Sequence, residues 1–183
     1  AEAVTDQGTN CDALVAARDG IAYDFTAECE DKENFSSISF GFENPEGAAE
    51  AHLVLHVKNT VWSGMMYESF MSLFGNRYED YVEHQRNRTV EQKMQWLKDQ
   101  GQMLEVQLRR DGHWETVHWV NLPGPYAFRS EVVPLDLSKV DGGALEVRLV
   151  AGHHFWELDY AAIDYSEQPG LSKTSLALLS AED

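Results

Sequence analysis

Apolar and polar residues alternate along much of this 183-residue chain, so that every second side chain is apolar. A period of two is typical of strands with one buried face. It is clearest at residues 38–42, 52–58, 104–109 and 145–149. The aromatic and acidic segment 155–165 predicts a closing strand, with a β-bulge at Ala161 and Ala162 where the apolar positions change parity.

The period becomes helical between residues 63 and 101. Met66, Phe70 and Leu73 lie four and three residues apart, and Thr89 precedes Gln92 in a capping-box pattern. These patterns predict two or three helices inserted into a β chain. A stripe of methionine and aromatic residues at helical spacing more often packs against protein than binds a cofactor, so we expect this stripe to be packed.

Two Asp-Gly pairs predict two-residue hairpin turns. The pair at 111–112 places Arg109 opposite Trp114 and Leu104 opposite Trp119, since the turn sets the register of both strands. Arg109 over the Trp114 ring is a predicted cation–π pair. On the same face, Glu105 and His118 are a predicted polar pair.

The other Asp-Gly pair, at 19–20, predicts a hairpin over residues 13–26. With one added bulge, this hairpin would bring Cys11 opposite Cys29, and we expect a cross-strand disulfide between them. Two separate buried thiols are the alternative.

Short strands with regular turns predict a mainly β fold, a jelly-roll-type antiparallel β-sandwich with a helical insertion at about residues 63–101. We expect residues 1–168 to form one domain and residues 169–183 a C-terminal tail. Turn residues at 44–47, 141–143 and 168–170 separate the strands. The predicted interior includes Leu104, Leu145 and Trp156.

Charge narrows the possible partners. The chain carries 14 Lys and Arg against 31 Asp and Glu, a net charge of −17. Such a charge repels phosphate backbones and anionic lipid, so we expect no nucleic-acid partner. No apolar run is long enough for a membrane span. Because the sequence begins at Ala1 without a methionine, we expect a mature or trimmed fragment of a longer protein.

Segments 51–55, 132–138 and 155–164 give the chain a resemblance to galactose-binding-domain-like modules. Segments 58–62, 73–75 and 155–165 are also similar to stretches of large, uncharacterised bacterial envelope proteins. The resemblance implies a β-sandwich outside the cytoplasm, in the periplasm, at the cell surface or secreted. Members of this fold often bind sugars and often hold a structural calcium ion, so the resemblance implies both as possible properties of this chain. The helical insertion departs from the simple module.

Exposed aromatic residues beside polar groups are the chemistry that binds sugars. Arg109, Trp114 and His118 share one predicted strand face, and Trp62 and Tyr126 lie in predicted loops. We take these five residues as the candidate ligand-binding set. The alternative is that Trp114 lies beneath the helical insertion as ordinary packing.

Metal sites are the second candidate. Carboxylates could converge on calcium from separate strands, with Asp19, Glu43 and Asp164 foremost among Asp19, Asp24, Glu28, Glu43, Asp159 and Asp164. Solvated surface carboxylates are the alternative. His153, His154 and Glu157, with His113 and His118, offer a weaker transition-metal pattern, because adjacent strand residues point to opposite faces.

Glu157 and Asp159 are two residues apart on one strand and therefore share a face, as the carboxylate pair of a glycosidase would. The chain has no nucleophile elbow, phosphate loop or dinucleotide fingerprint. We therefore favour a non-catalytic ligand-binding or assembly module, with a glycan, neighbouring domain or subunit as partner. The alternatives are a carbohydrate-active enzyme using that pair, and a structural domain that docks through its helical insertion. A broad exposed patch on Met65, Met66, Phe70 and Phe74 would favour the last.

Overall fold

A computed structural model describes residues 2–45, 48–140, 143–166 and 174–175. Within these ranges the predicted antiparallel β-sandwich is confirmed, with nine strands in two sheets. In spatial order, the first sheet contains β1 (Glu2–Val4), β3 (Phe35–Glu43), β8 (Ala144–Gly152), β5 (Leu104–Arg110) and β6 (His113–Val120). The second contains β2 (Tyr23–Asp24), β9 (Trp156–Asp164), β4 (Glu50–Asn59) and β7 (Arg129–Asp136).

The alternating apolar positions fill the space between the two sheets. Leu104 and Leu145 of the first sheet and Trp156 of the second are fully buried, as predicted. Leu53 and Leu55 of the second sheet belong to the same buried cluster. Burial of each such side chain stabilises the fold by about 1.5–3 kcal/mol. The turns predicted at 44–47, 141–143 and 168–170 and the tail predicted at 169–183 lie wholly or partly outside the described residues.

The helical insertion is confirmed and begins two residues earlier than predicted. It contains α2 (Val61–Ser72), a 3-10 turn (Gly75–Arg77), α3 (Tyr78–Arg86) and α4 (Val90–Asp99), and follows the short α1 (Asp12–Val15) in the chain. The predicted capping box between Thr89 and Gln92 is formed at the start of α4.

Gly101 brings the chain back to the sandwich after α4. Its φ is +65°, and a Cβ there would lie 2.6 Å from the backbone of Gly152, so only glycine fits. Gly101 is also hydrogen-bonded to the sandwich, because its carbonyl accepts the Gly152 N–H at 2.8 Å. Described helices include none that is long and apolar enough to cross a membrane.

The hairpin predicted over residues 13–26 is wrong. Residues 12–15 form α1, and β2 pairs with β9 instead of with a preceding strand. The reason is long-range: β9 offers an unpaired backbone edge, and buried Asp159 accepts the Gly20 N–H at 2.8 Å. The predicted disulfide is accordingly not formed, and Cys11 and Cys29 are separate, buried free thiols.

The register predicted for the β5–β6 hairpin is correct near the turn and wrong beyond it. Arg109 opposes Trp114 as predicted, but a register shift at Val106 makes Leu104 oppose Val120. Trp119 therefore leaves the core and lies half-buried, with the ammonium groups of Lys32 and Lys98 at 5.7 and 4.9 Å from its ring centroid.

The bulge predicted in the closing strand is present but lies two residues earlier. The β4–β9 register shifts between His56 and Val57, where Tyr160 opposes His56 and Leu158 opposes Val57. Asp159 is thus the extra residue, rather than Ala161 or Ala162. Its carboxylate turns to the outer face of the sheet, where His56 and Gly20 hold it.

Candidate functional site

The face predicted to bind ligand is the outer face of the five-stranded sheet near the β5–β6 turn. The predicted cation–π pair is confirmed, with the Arg109 guanidinium 5.7 Å from the Trp114 ring centroid. A second guanidinium, from Arg148 of β8, lies closer to the same ring, at 4.7 Å. The predicted pair of His118 and Glu105 is not formed: His118 is exposed on β6, and Glu105 pairs with Lys32 instead.

Arg148 is the centre of this face and is only 5% exposed. Its guanidinium donates to Gln107 Oε1 at 2.7 Å and to Asp31 Oδ2 at 2.9 Å, and Asp6 lies 3.8 Å away. Asp6 and Asp31 belong to the segments before β2 and β3, which fold over the sheet. A buried cation is stable there because it has charged and neutral acceptors on several sides.

Glu105 is the second buried charged residue of this face and is 4% exposed. We call Arg148, Glu105 and their hydrogen-bond partners the polar layer. It accepts hydrogen bonds from Lys32 Nζ at 2.8 Å, from Gln107 Nε2 at 2.8 Å, and from the Thr116 hydroxyl. Burial alone would raise the pKa of Glu105, but these three donors outweigh it and hold the pKa below its ordinary value. The segment that carries Asp31 and Lys32 therefore covers this face around Arg148 and Glu105.

Asp6, Cys29 and Asp31 place three potential metal-ligand atoms within 4.8 Å of one another. Arg148 already occupies the space that a cation would need. Burial and the hydrogen bond to Asp31 raise the pKa of the Cys29 thiol to about 11, so it stays protonated at neutral pH. This cluster is therefore matched to a guanidinium rather than to a metal ion.

The predicted calcium ligands lie apart. The Asp19 and Asp164 carboxylates accept the N–H of the residue two positions later, in Asx turns at 2.9 and 2.8 Å. Glu43 is the exposed last residue of β3. Among the described residues, the structure does not bring these three carboxylates together into one metal-ligand group.

The predicted carboxylate pair on β9 is held by two side chains of β4, Lys58 and His56. Glu157 forms an ion pair with Lys58 at 2.9 Å. The buried Asp159 accepts from His56 Nδ1 at 2.7 Å and from the Gly20 N–H at 2.8 Å, so both of its oxygens are engaged. This arrangement fastens the segment before β2 to the outer face of the four-stranded sheet.

His153 and His154 form the turn between β8 and β9. Their Nδ1 atoms pair with Ser36 Oγ at 3.0 Å and with Asp24 Oδ2 at 2.7 Å. Among the described residues, neither histidine belongs to a group of three metal-ligand atoms. His113 and His118, predicted with them, lie on β6 instead.

Trp62 and Tyr126, the other two predicted ligand-binding residues, lie in a different region. Trp62 is in the first turn of α2 and is 48% exposed, and Tyr126 is 98% exposed in the loop between β6 and β7. That loop leaves the end of β6 remote from Trp114 and the hairpin turn. The five predicted residues therefore do not form one site.

A cleft of about 410 Å³ opens beside Trp62 and Tyr126, where the helical insertion meets the end of the sandwich. A second hollow of about 210 Å³ adjoins it and shares Ser63, Tyr67, Gln102 and Phe155. The cleft is lined by Asn59, Ser63, Gly64, Tyr67, Leu97, Gln102, Leu122, Pro123, Gly124, Pro125 and Phe155. None of these side chains is charged.

The walls of the cleft are held by the ends of β4 and β9. Asn59 at the end of β4 is buried, and its Oδ1 accepts the Gly124 N–H at 3.1 Å while its own N–H donates to the Gly124 carbonyl at 3.2 Å. Trp156 Nε1 donates to the Gln102 carbonyl at 2.9 Å. Both lining segments are therefore tied to the sandwich.

Beside the cleft, α2 presents large apolar side chains to solvent. None of its residues is buried, and Glu68 is its one charged residue. We call this surface the α2 patch: Val61, Trp62, Met65, Met66, Tyr67, Phe70 and the C-cap residue Leu73. The stripe predicted to be packed is thus largely exposed, and Met65, Met66 and Phe70 meet the stated criterion for docking while Phe74 is half-buried.

An aromatic cluster of its own holds the insertion together. Phe74 stacks on Tyr81 at 4.2 Å, and Phe70 lies 6.3 Å from Trp96. The signal that sequence reasoning missed is that α2 has apolar residues on every side. An amphipathic helix leaves a polar stripe for solvent, and α2 does not have one.

Searches with family models, characterised proteins and solved structures found no match to this chain. The resemblance to galactose-binding-domain-like modules stays a prediction. So do the sugar binding, the calcium ion and the location outside the cytoplasm that it implies.

Proposed function

We propose that this chain is a non-catalytic interaction module that docks through its helical insertion onto an apolar segment of another polypeptide. The observation that carries the proposal is α2, a helix apolar on every side without a buried residue. Helices of this composition are ordinarily enclosed by protein. A partner that covers α2 would provide the enclosure that the described part of the chain does not.

The chemistry of the α2 patch favours a polypeptide. Methionine and aromatic residues are enriched in the centres of protein interfaces, and a contiguous exposed apolar surface marks such a site. Met65 and Leu73 are exposed but offer sugar hydroxyls no strong hydrogen-bonding group. The patch therefore fits apolar side chains better than a glycan.

Charge favours a partner segment that is neutral or basic. Residues 61–101 contain five Lys and Arg and six Asp and Glu, out of 14 and 31 in the whole chain. The insertion is thus nearly neutral, and the rest of the chain carries almost all of the net charge of −17. That field would repel acidic partners and anionic lipid and attract basic flanking residues.

The test is selection of random linear peptides displayed on phage against the full chain. The expected result is enrichment of apolar peptides with Lys or Arg flanks, and at least about tenfold weaker binding to the double variant Met65→Gln/Leu73→Gln, equivalent to about 1.4 kcal/mol. Ile21→Gln is the matched control, because Ile21 is an exposed aliphatic residue of the sandwich.

Two outcomes would overturn the proposal. One is a selection without enrichment, or with enriched peptides that bind the double variant as well as the native chain. The other is saturable binding on a glycan array that depends on Trp62 and Tyr126, which would favour the carbohydrate-binding alternative.

A further inference from the structure

We infer that the cleft between α2, α4 and the 121–125 loop is an anchor pocket for one uncharged ring-bearing side chain, aromatic or proline, of the docked segment. The inference rests on the proposed docking function and adds the chemistry of the residue that the segment must carry. Interfaces of this kind draw most of their affinity from a few large side chains seated in desolvated pockets.

The lining of the cleft selects against charge. Charged residues make up 25% of the chain, yet none of the eleven residues around the cleft is charged. A charged side chain entering the cleft would lose hydration without gaining an ion pair. An uncharged group loses far less hydration free energy. The pocket therefore discriminates against charged side chains by the cost of desolvating them, as well as by its contacts with uncharged ones.

The shape and composition of the walls favour a ring. Tyr67 and Phe155 contribute aromatic rings to the lining, and Pro123 and Pro125 contribute aliphatic rings. The volume of about 410 Å³ lies in the range of small-ligand pockets and exceeds what a short aliphatic side chain would fill. Gln102 adds an amide that can pair with one polar atom of an indole or phenol.

The pocket is pre-organised. The 121–125 loop is fastened to buried Asn59 by two hydrogen bonds of 3.1 and 3.2 Å through Gly124. The Thr60 N–H donates to the Phe155 carbonyl at 3.1 Å, which fixes the backbone beside the aromatic wall. A ligand therefore finds these walls in place and does not have to order them on binding.

Gly64 gives a sharp test, because it lines the cleft and a Cβ built on it meets nothing within 4 Å. In Gly64→Leu the new side chain would occupy the cleft without a backbone clash, and leucine is a better helix former than glycine. Gly64→Ala is the matched control, since it gains helix propensity but leaves most of the cleft open.

The probe is indole, titrated into the full chain by ligand-observed NMR. We expect saturable binding, at least about tenfold weaker binding to Gly64→Leu, and a change within about twofold for Gly64→Ala. Indole-3-acetate should bind at least about tenfold more weakly than indole, because the lining has no cation for its carboxylate. Thermal unfolding of both variants should occur at or above the native temperature.

The outcomes separate this inference from the docking function. Peptide binding that survives Gly64→Leu, or indole binding that is equal in both variants, would overturn the anchor pocket and leave the α2 patch as the docking surface. Should Gly64→Leu fold poorly, equal binding of indole and indole-3-acetate by the native chain overturns the anchor pocket equally well. Indole binding with no enriched peptides would instead overturn the docking function.

Discussion

The outer face of the five-stranded sheet and the α2 patch differ in which side chains they bury: the sheet face buries charged residues, and the α2 patch exposes apolar ones. On the sheet, charged Arg148 and Glu105 are almost fully buried, and each has several hydrogen-bond partners within the chain. On α2, large apolar residues such as Met65 and Leu73 lie in solvent, the latter 82% exposed. Arg148 and Glu105 have their partners within the first surface, whereas the described part of the chain leaves the second surface uncovered.

This difference supports the α2 patch, rather than the sheet face, as the proposed docking surface. Arg109 and Trp114 have the residue types of a ligand site, but the network around Arg148 already uses the polar capacity of that face. The α2 patch consists of apolar and aromatic side chains whose surface is still exposed to solvent. Exposed apolar area, rather than the presence of reactive residue types, is what favours the α2 patch as the proposed docking surface.

The largest expected effect separates a buried cation from an exposed one on the sheet face. Arg148→Met removes the partner of Asp31 and Gln107 and should lower the free energy of unfolding by about 2–3 kcal/mol, below the full cost of a completely buried pair because Asp31 is itself half-exposed. Arg109→Met, which loses an exposed ion pair with Glu146, should cost less than about 1 kcal/mol.

Urea unfolding of both variants measures this contrast. Equal losses in the two variants would contradict a polar layer centred on Arg148. A loss at Arg109 that exceeds the loss at Arg148 would move the centre of the network towards the β5–β6 turn.

The next effect is the pH dependence of the polar layer. The Asp31 pKa is lowered chiefly by the hydrogen bond from Arg148, and the Glu105 pKa is lowered because its three donors outweigh the cost of burial. Carboxylates with lowered folded-state pKa values stabilise the fold fully above their unfolded pKa of about 4. That stabilisation is lost as the pH falls through the lowered folded-state values.

We therefore expect the free energy of unfolding to decrease as the pH falls below about 5, and to decrease less steeply in Glu105→Gln. At pH 7, that variant should lose about 1–3 kcal/mol, because charge-assisted hydrogen bonds are replaced by neutral ones. Chemical unfolding across a pH series checks both statements. An unchanged slope in Glu105→Gln would show that this carboxylate does not drive the acid sensitivity.

The smallest expected effect on stability belongs to the α2 patch. Met65→Gln and Leu73→Gln should each change the free energy of unfolding by less than about 0.5 kcal/mol, because these exposed side chains have little packing to lose. A loss above about 1 kcal/mol in either variant would place that side chain in a contact within the chain. If the proposed docking function holds, combining these two changes weakens peptide binding while leaving stability nearly unchanged.

Local patterns predicted most of the sandwich. Alternation assigned the buried face of β4, β5 and β8 correctly, because a period of two has only two ways to face a core. The capping box at Thr89 marked the start of α4 within the chain. These features depend on residues a few positions apart.

The errors within the sandwich involve partners distant in the chain. The Asp19-Gly20 turn chemistry was overridden by β9, whose Asp159 lies 139 residues from Gly20. The bulge opposite Val106 depends on how β5 also fits β8. Burial of Glu105 depends on Lys32, 73 residues earlier.

The amino-acid sequence by itself determined the two-layer β architecture, the position of the helical insertion and the strongly acidic surface, because periodicity and charge are local or additive properties. Tertiary structure alone decided that Arg148 and Glu105 lie beneath a folded-over segment while Met65 and Leu73 lie in solvent. Burial depends on contacts between segments that are distant in the chain. The apolar pattern indicates which side chains are suited to burial, but it does not indicate which segment covers them.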